Sequence, residues 1–206
     1  MTPFALPAAD RDTTALHFPP AAIADWDTHS FNGRTGYRLV EHDDREAVQA
    51  ECDGGTGSGL VLRRDIDLRE TPIVEWRWQV ASVYGGLDPH SESGDDYPAR
   101  LYVVDEHSVL RWRTRAINYV WANSQPAGAD WPNPFTGKAH MVALASGAPT
   151  DDGGWRTARR NIRADFERFH DRELDRINAV AIMTDCDNAG QRTRAWYGGI
   201  RFLPAN

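Results

Sequence analysis

The segment Ile73–Val80 constrains the fold of this chain more than any other stretch of its sequence. Along it, Trp76 and Trp78 alternate with the charged residues Glu75 and Arg77. Successive side chains of a β-strand point to opposite faces, so this alternation is typical of a strand with one buried face. We therefore expect a sheet that covers an aromatic core with one face and meets solvent with the other.

Similar short runs recur along the chain, separated by segments rich in Gly, Pro, Asp and Asn. They predict further strands at 37–41, 47–51, 60–63, 99–104, 116–121, 141–145, 179–184 and 195–203. The segment 161–171 predicts a helix, because Ile162, Phe166 and Phe169 fall on one helical face. No strand–helix–strand alternation is visible. We expect a mainly β fold, a jelly-roll or β-sandwich of about ten strands with one short amphipathic helix.

The length and charge of the chain limit its organisation and its partners. A length of 206 residues fits one sandwich, and we expect a single domain over 16–206 after a loosely held lead-in at 1–15. The net charge of −7 argues against non-specific binding to nucleic acid and against binding to an anionic membrane surface. No run approaches the roughly 20 apolar residues of a membrane helix, so we expect no membrane insertion.

The first candidate site lies where the polar loop 82–98 meets a predicted strand. Asp95 and Asp96 are adjacent carboxylates, and Arg100 begins the strand. Such groups bind sugar hydroxyls through charge-assisted hydrogen bonds, and carboxylates also bind hard cations. A third interpretation is a structural ion pair that fixes the loop to the sheet. The sequence leaves all three open.

The second candidate site is the turn 185–190, which follows a predicted strand. Asp185, Asp187 and Asn188 resemble the first residues of a calcium loop. They are therefore candidate ligands of a metal ion, and calcium is the ion that we predict. The turn does not belong to an EF-hand, because Trp196 stands where an EF-hand carries its bidentate Glu. The alternatives are the rim of a ligand site and plain turn formation by Asp and Asn.

Aromatic side chains form a third candidate group. Tyr119, Trp121 and Trp131 are candidates for stacking on a sugar ring, with core packing as the alternative. Trp131 lies in the Pro-rich loop 123–138, so we expect it to be the exposed platform among them.

The fourth candidate is Arg160, which precedes the predicted helix. We predict that its guanidinium group reaches the carboxylate of Asp96 or Asp185 and builds a buried ionic network. Networks of this kind serve either a ligand site or the fold alone.

The two cysteines, Cys52 and Cys186, lie far apart in the sequence. They are compatible with a disulfide in an oxidising compartment or with two free thiols. The first residues show no basic segment followed by an apolar one, which indicates a cytosolic protein or a mature form whose leader has been removed.

Six ordered segments carry a family resemblance. They are 74–78 (VEWRW), 94–103 (GDDYPARLYV), 117–121 (INYVW), 159–162 (RRNI), 181–188 (AIMTDCDN) and 196–202 (WYGGIRF). Over nearly the whole chain they resemble DUF3047, a bacterial family of unknown function. Members of this family usually carry leader peptides, so the resemblance implies a periplasmic or secreted protein. A more distant similarity, to galactose-binding-like jelly rolls that include carbohydrate-binding modules, concerns the fold.

Three hypotheses of function follow. The first is a non-catalytic binding module for a carbohydrate or a related polar polymer, with its site formed by the loops 82–98 and 123–138 and the turn 185–190. The second is a glycan-active hydrolase or lyase that uses loop carboxylates as acid or base. The third is a structural protein of the cell envelope without a small ligand. The sequence contains no P-loop, nucleophile elbow or paired-histidine metal motif that would single out an enzyme class.

Overall fold

The computed structural model describes residues 15–107, 109–110, 113–149 and 154–205. Apart from Ala15, the lead-in predicted at 1–15 lies outside the described residues. Within these ranges the chain forms thirteen strands, two α-helices and one turn of 3-10 helix at Glu92–Gly94. The strands are β1 (Leu16–Phe18), β2 (Asp27–Asn32), β3 (Gly36–His42), β4 (Arg45–Asp53), β5 (Gly57–Asp67), β6 (Ile73–Val80), β7 (Ala99–Asp105), β8 (Arg115–Ala122), β9 (Asp130–Pro132), β10 (Ala139–Ser146), β11 (Arg156–Asn161), β12 (Arg176–Asp185) and β13 (Arg192–Leu203). The helices are α1 (Pro20–Ala24) and α2 (Ile162–His170).

The strands form two sheets. A six-stranded sheet has the order β11-β6-β13-β4-β3, with β1 also paired to β13. A seven-stranded sheet has the order β2-β5-β12-β7-β8-β10-β9. All neighbouring pairs in the described sheets are antiparallel except β8 and β10. The predicted fold class, a β-sandwich with one amphipathic helix, is confirmed.

An aromatic core holds the two sheets together. Trp76 and Trp78 on β6 are 2% and 0% exposed, as their alternation predicted. Their rings contact aromatic rings of the opposite sheet: Trp76 lies 5.5 Å from Tyr119 and Trp78 lies 6.1 Å from Trp121, centroid to centroid. Aromatic residues bury more apolar surface than any other side chains, so these contacts contribute strongly to the packing of the sheets.

The helix α2 covers part of this core. Its first turn is capped by Asn161, whose side-chain oxygen accepts a hydrogen bond from the backbone N–H of Ala164 at 3.2 Å. Ile162 and Phe166 are fully buried. The helix ends at Asp171, whose backbone adopts the left-handed conformation with φ 51°. No helix of the described residues is long and apolar enough to cross a membrane.

A disulfide joins Cys52, on β4 of the six-stranded sheet, to Cys186, directly after β12 of the seven-stranded sheet. Of the two states that the sequence allowed for these cysteines, the structure has the disulfide. Both residues are buried, and Tyr84 packs against them. The disulfide therefore links the two sheets at the end of the sandwich where the turn 186–190 begins.

Candidate functional site

Three of the predicted polar residues, Asp95, Arg100 and Asp185, meet in a buried ionic network on the outer face of the seven-stranded sheet. Ala99 and Leu101 face the core, so Arg100 between them faces outward. Its Nε donates to Asp185 Oδ1 at 2.8 Å and its Nη2 donates to Asp185 Oδ2, while its Nη1 lies 3.5 Å from Asp95 Oδ1. Arg100 and Asp185 are only 1% and 3% exposed. Loops cover this part of the sheet face and keep water from the ion pair.

Burial sets the electrostatics of the network. Loss of water around Asp185 raises the pKa of its carboxyl to about 7, although the guanidinium group of Arg100 opposes the shift. Burial also raises the pKa of Asp96, against the hydrogen bonds that its carboxylate accepts. Burial disfavours the charge of Arg100, but the adjacent carboxylate of Asp185 raises the pKa of the guanidinium group well above its ordinary value. Arg100 therefore stays charged.

Asp96 fixes the turn that follows β12. Its Oδ2 accepts hydrogen bonds from the backbone N–H groups of Asn188 and Ala189 at 2.8 and 2.6 Å, and its Oδ1 accepts one from Asn188 Nδ2 at 3.2 Å. The side chain of Asn123 donates to the Asp96 carbonyl at 2.8 Å. Asp96 is fully buried and thus ties three loops together at one end of the sandwich.

Three carboxylates of this region form a possible cation site. One oxygen each of Asp96, Asp185 and Asp187 lie within 4.8 Å of one another. The structure thus brings Asp185 and Asp187 together as predicted and adds Asp96. The side-chain N–H group of Asn188, by contrast, donates a hydrogen bond to Asp96. Three carboxylate oxygens are suitable ligands for a hard cation. The donors that already bind Asp96 and Asp185, however, neutralise much of the negative charge of these two carboxylates. Calcium binding stays a prediction, which a rise in melting temperature with calcium, lost in Asp187→Asn, would support.

The exposure predicted for Trp131 is wrong. Trp131 is 3% exposed, because β9 pairs with β10 and places the indole against Met141 on the outer sheet face. Its ring centroid lies 6.3 Å from that of Tyr97. Tyr119 and Trp121 are also buried, since their positions on β8 face the core. None of these three rings is presented to solvent in the described structure.

The partner predicted for Arg160 is also wrong. The side chain pairs with Asp165, with Nε donating to Oδ2 at 2.8 Å and Nη2 donating to Oδ1, and Asp165 also accepts a hydrogen bond from the Tyr119 hydroxyl at 2.7 Å. Arg160 lies on β11 in the six-stranded sheet, and α2 follows directly with Asp165 in its first turn. Arg160 thus forms its ion pair with Asp165, a nearby residue on α2, and not with Asp96 or Asp185 as expected.

The sequence did not reveal a groove on the outer face of the seven-stranded sheet. It encloses about 140 Å³ across β2, β5, β12 and β7. Its walls and floor include His29, Phe31, Gly59, Tyr102, Ala181 and Met183. The only signals for it were the aromatic Phe31 within an otherwise polar segment and the alternation along β7.

Strand alternation and a glycine shape the groove. His29 and Phe31 are two residues apart on β2, so their side chains lie on the same sheet face. The pairing of β2 with β5 also shifts register between Ser30 and Asn32. The two rings meet edge to face with centroids 4.7 Å apart, and Phe31 is 67% exposed. At Gly59, a Cβ atom would lie 2.5 Å from the carbonyl oxygen of Ile182, so only glycine fits the floor.

The ionic network supports one wall of the groove. Arg100 Nη1 donates to the hydroxyl of Tyr102 at 3.2 Å, which holds the Tyr102 ring on the outer face. Burial raises the pKa of Tyr102 to about 12, so this hydroxyl keeps its proton. At the rim, Arg63 Nε lies 3.1 Å from Glu106 Oε2. Asp95 and Asp185 thus hold Arg100, and Arg100 positions Tyr102 in the wall of the groove. Direct contact of Asp95, Arg100 or Asp185 with a ligand stays a prediction.

The molecule is therefore a two-sheet β-sandwich with an aromatic groove on one outer sheet face. Residues 24–201 match the family described as "Protein of unknown function (DUF3047)", and the chain belongs to this family. No curated protein matches the sequence.

Several solved structures show a similarity to this chain. A cellulase derived from Cel12A of Rhodothermus marinus has 11% identity and a TM-score of 0.49, with 91% of this chain and 100% of that chain covered. A family 11 carbohydrate-binding module from Clostridium thermocellum, in complex with a β-1,3-1,4-mixed-linked tetrasaccharide, has 10% identity and a TM-score of 0.45, with 93% and 96% covered. The Endo-D glycoside hydrolase domain from Streptococcus pneumoniae R6 has 9% identity and a TM-score of 0.46 over 86% of this chain, which spans only 21% of that chain. At these identities the similarity concerns the fold.

Proposed function

We propose that this protein is a non-catalytic module that binds a carbohydrate chain in the groove of the seven-stranded sheet. The arrangement of aromatic rings carries the proposal: His29 and Phe31 lie on β2 at one side of the groove, and Tyr102 lies on β7 at the other. An exposed phenylalanine beside a concave, ring-lined surface is typical of a ligand site.

The width of the groove suits an extended ligand. β2 and β7 are separated by β5 and β12, so three interstrand spacings place the two aromatic walls about 14 Å apart. The C–H faces of sugar rings pack on aromatic rings, while hydroxyl groups bond to charged side chains. The pair Arg63 and Glu106 supplies donors and an acceptor at the rim.

The carboxylates favour binding over hydrolysis. Glycoside hydrolases generally use two carboxyl groups that flank the scissile bond. Among the described residues that line the groove, Glu106 alone carries a carboxyl group, and Arg63 pairs with it. Asp95, Asp96 and Asp185 lie in the buried network, where Arg100 and backbone N–H groups already bind them.

The disulfide supports a location outside the reducing cytosol. Disulfides persist in the periplasm and in secreted proteins and are rare in the cytosol. We infer that the protein functions in the periplasm or outside the cell, where polysaccharides are accessible. A fusion of the natural full-length protein to alkaline phosphatase, which folds only after export, would be inactive if this location is wrong.

A binding screen with two matched variants tests the function. We expect one class among cello-, laminari-, xylo- and chito-oligosaccharides to raise the melting temperature of the protein by several degrees at saturation. Phe31→Ala should weaken that binding about tenfold, the equivalent of about 1.4 kcal/mol of lost stacking. Phe135→Ala is the control, because Phe135 is also exposed, at 55%, but does not line the groove. Equal affinity of both variants and the parent protein would contradict the proposal.

A further inference from the structure

The opposite face of the molecule carries a second, polar pocket. It lies on the outer face of the six-stranded sheet and encloses about 550 Å³. Its lining includes His17, Glu75, Arg77, Thr157, Gly199 and Arg201. None of these residues lines the carbohydrate groove or belongs to the candidate sites predicted from the sequence.

A bulge in β13 opens this pocket. β4 pairs with β13 as far as Tyr197, and β1 pairs with it from Ile200 onward. The register against β6 shifts over the same two residues, Gly198 and Gly199. A Cβ atom at Gly199 would lie 2.9 Å from His17 Nε2, so any larger residue there would clash with the His17 ring.

The charge of the pocket is opposite to that of the protein. Within the described part of the chain, Glu75 is the only carboxylate that lines the pocket, and Glu75 already accepts hydrogen bonds from Arg201 and, at 3.5 Å, from Arg159. Arg77 makes no ion pair in the parts of the chain that the structure describes. The pocket thus contains two guanidinium groups, of Arg77 and Arg201, and one carboxylate, that of Glu75. Its net charge is positive, although the net charge of the protein is −7.

Strand pairing places the donors side by side. Thr157 lies directly opposite Arg77, and His17 lies directly opposite Arg201. Residues opposite each other on neighbouring strands have Cβ atoms about 5 Å apart, so their side chains reach a common ligand. A guanidinium group offers a planar fork of N–H donors that matches an oxyanion. We propose that this pocket binds an oxyanion, the carboxylate, sulfate or phosphate group of a ligand, at a site separate from the carbohydrate groove.

Anion titrations of paired variants test the proposal. Sodium phosphate, sodium sulfate and sodium glucuronate are each titrated against the full protein at constant ionic strength held with sodium chloride, with the melting temperature as the readout. Phosphate and sulfate also stabilise folded proteins generally through exclusion from their surface, so the comparison of variants decides. We expect a saturable rise of a few degrees in the parent protein that is lost in Arg77→Gln.

Arg38→Gln is the control, since Arg38 is an exposed arginine on β3 of the same sheet outside the pocket. It should keep the full saturable rise. A response to glucuronate alone would assign the site to a carboxylate, and a response to phosphate or sulfate would assign it to a tetrahedral anion. The absence of a saturable response in the parent protein, or an equal response in Arg77→Gln, would overturn the proposal without affecting the carbohydrate groove.

Discussion

Removal of the Cys52–Cys186 disulfide should destabilise the fold strongly. The two cysteines are 134 residues apart, and the chain-entropy relation for a loop of that length gives about 5 kcal/mol at 25 °C. The entropy of unfolding of a 206-residue domain is about 0.43 kcal/mol/K, from about 2.1 cal/mol/K per residue. The ratio predicts a fall in melting temperature of about 12 °C.

Differential scanning calorimetry of the double variant Cys52→Ala/Cys186→Ala measures this fall. The double variant is preferable to either single variant, because a single change leaves an unpaired buried thiol. Reduced parent protein should melt close to the double variant, and unreduced protein should show no thiol in denaturant. Two titrating thiols in unreduced protein, or a fall of less than about 3 °C, would refute the reasoning.

Three other predictions concern single side chains. The pKa of Asp185 is about 7 in the fold and 3.8 ordinarily, so the folded protein is stabilised by a proton that it loses as pH rises through 7. The melting temperature should therefore be lower at pH 8 than at pH 5, and an equal or higher value at pH 8 would contradict this. Asp96→Ala should lower the free energy of unfolding in urea by about 1–3 kcal/mol, because the N–H groups of Asn188 and Ala189 lose their acceptor; an unchanged midpoint would count against it. Asn161→Ala removes the cap of α2 and should lower the same quantity by about 1 kcal/mol, and no change would show that the cap is dispensable.

Much of the fold was predictable because its central strands alternate. All nine predicted strands lie within observed ones, and the predicted helix 161–171 corresponds to α2. The four strands that were missed lack the signal: every residue of β2 is exposed at a sheet edge, and β11 carries three arginines in six residues. β1 and β9 have only three residues each, too few to show a period.

The candidate site was predictable only in part. Asp95, Arg100 and Asp185 do lie together, because the loops before β7 and after β12 meet at the same end of neighbouring strands. The burial of Trp131 depends on the pairing of β9 with β10, which no local pattern in the loop reveals.

The groove was missed for a different reason. Its lining comes from four strands that are not consecutive in the chain and that become neighbours only in the sheet. A periodicity argument treats each strand alone and contains no information on which outer faces become neighbours in the sheet.

The most direct test of carbohydrate binding in the groove is an ¹H–¹⁵N NMR titration of the protein with the oligosaccharide that gives the largest thermal shift. We predict that the perturbed amides cluster on β2, β5, β12 and β7, around Phe31, Gly59 and Tyr102. Perturbations confined to the six-stranded sheet, or no saturable perturbation with any oligosaccharide of the screen, would contradict the account.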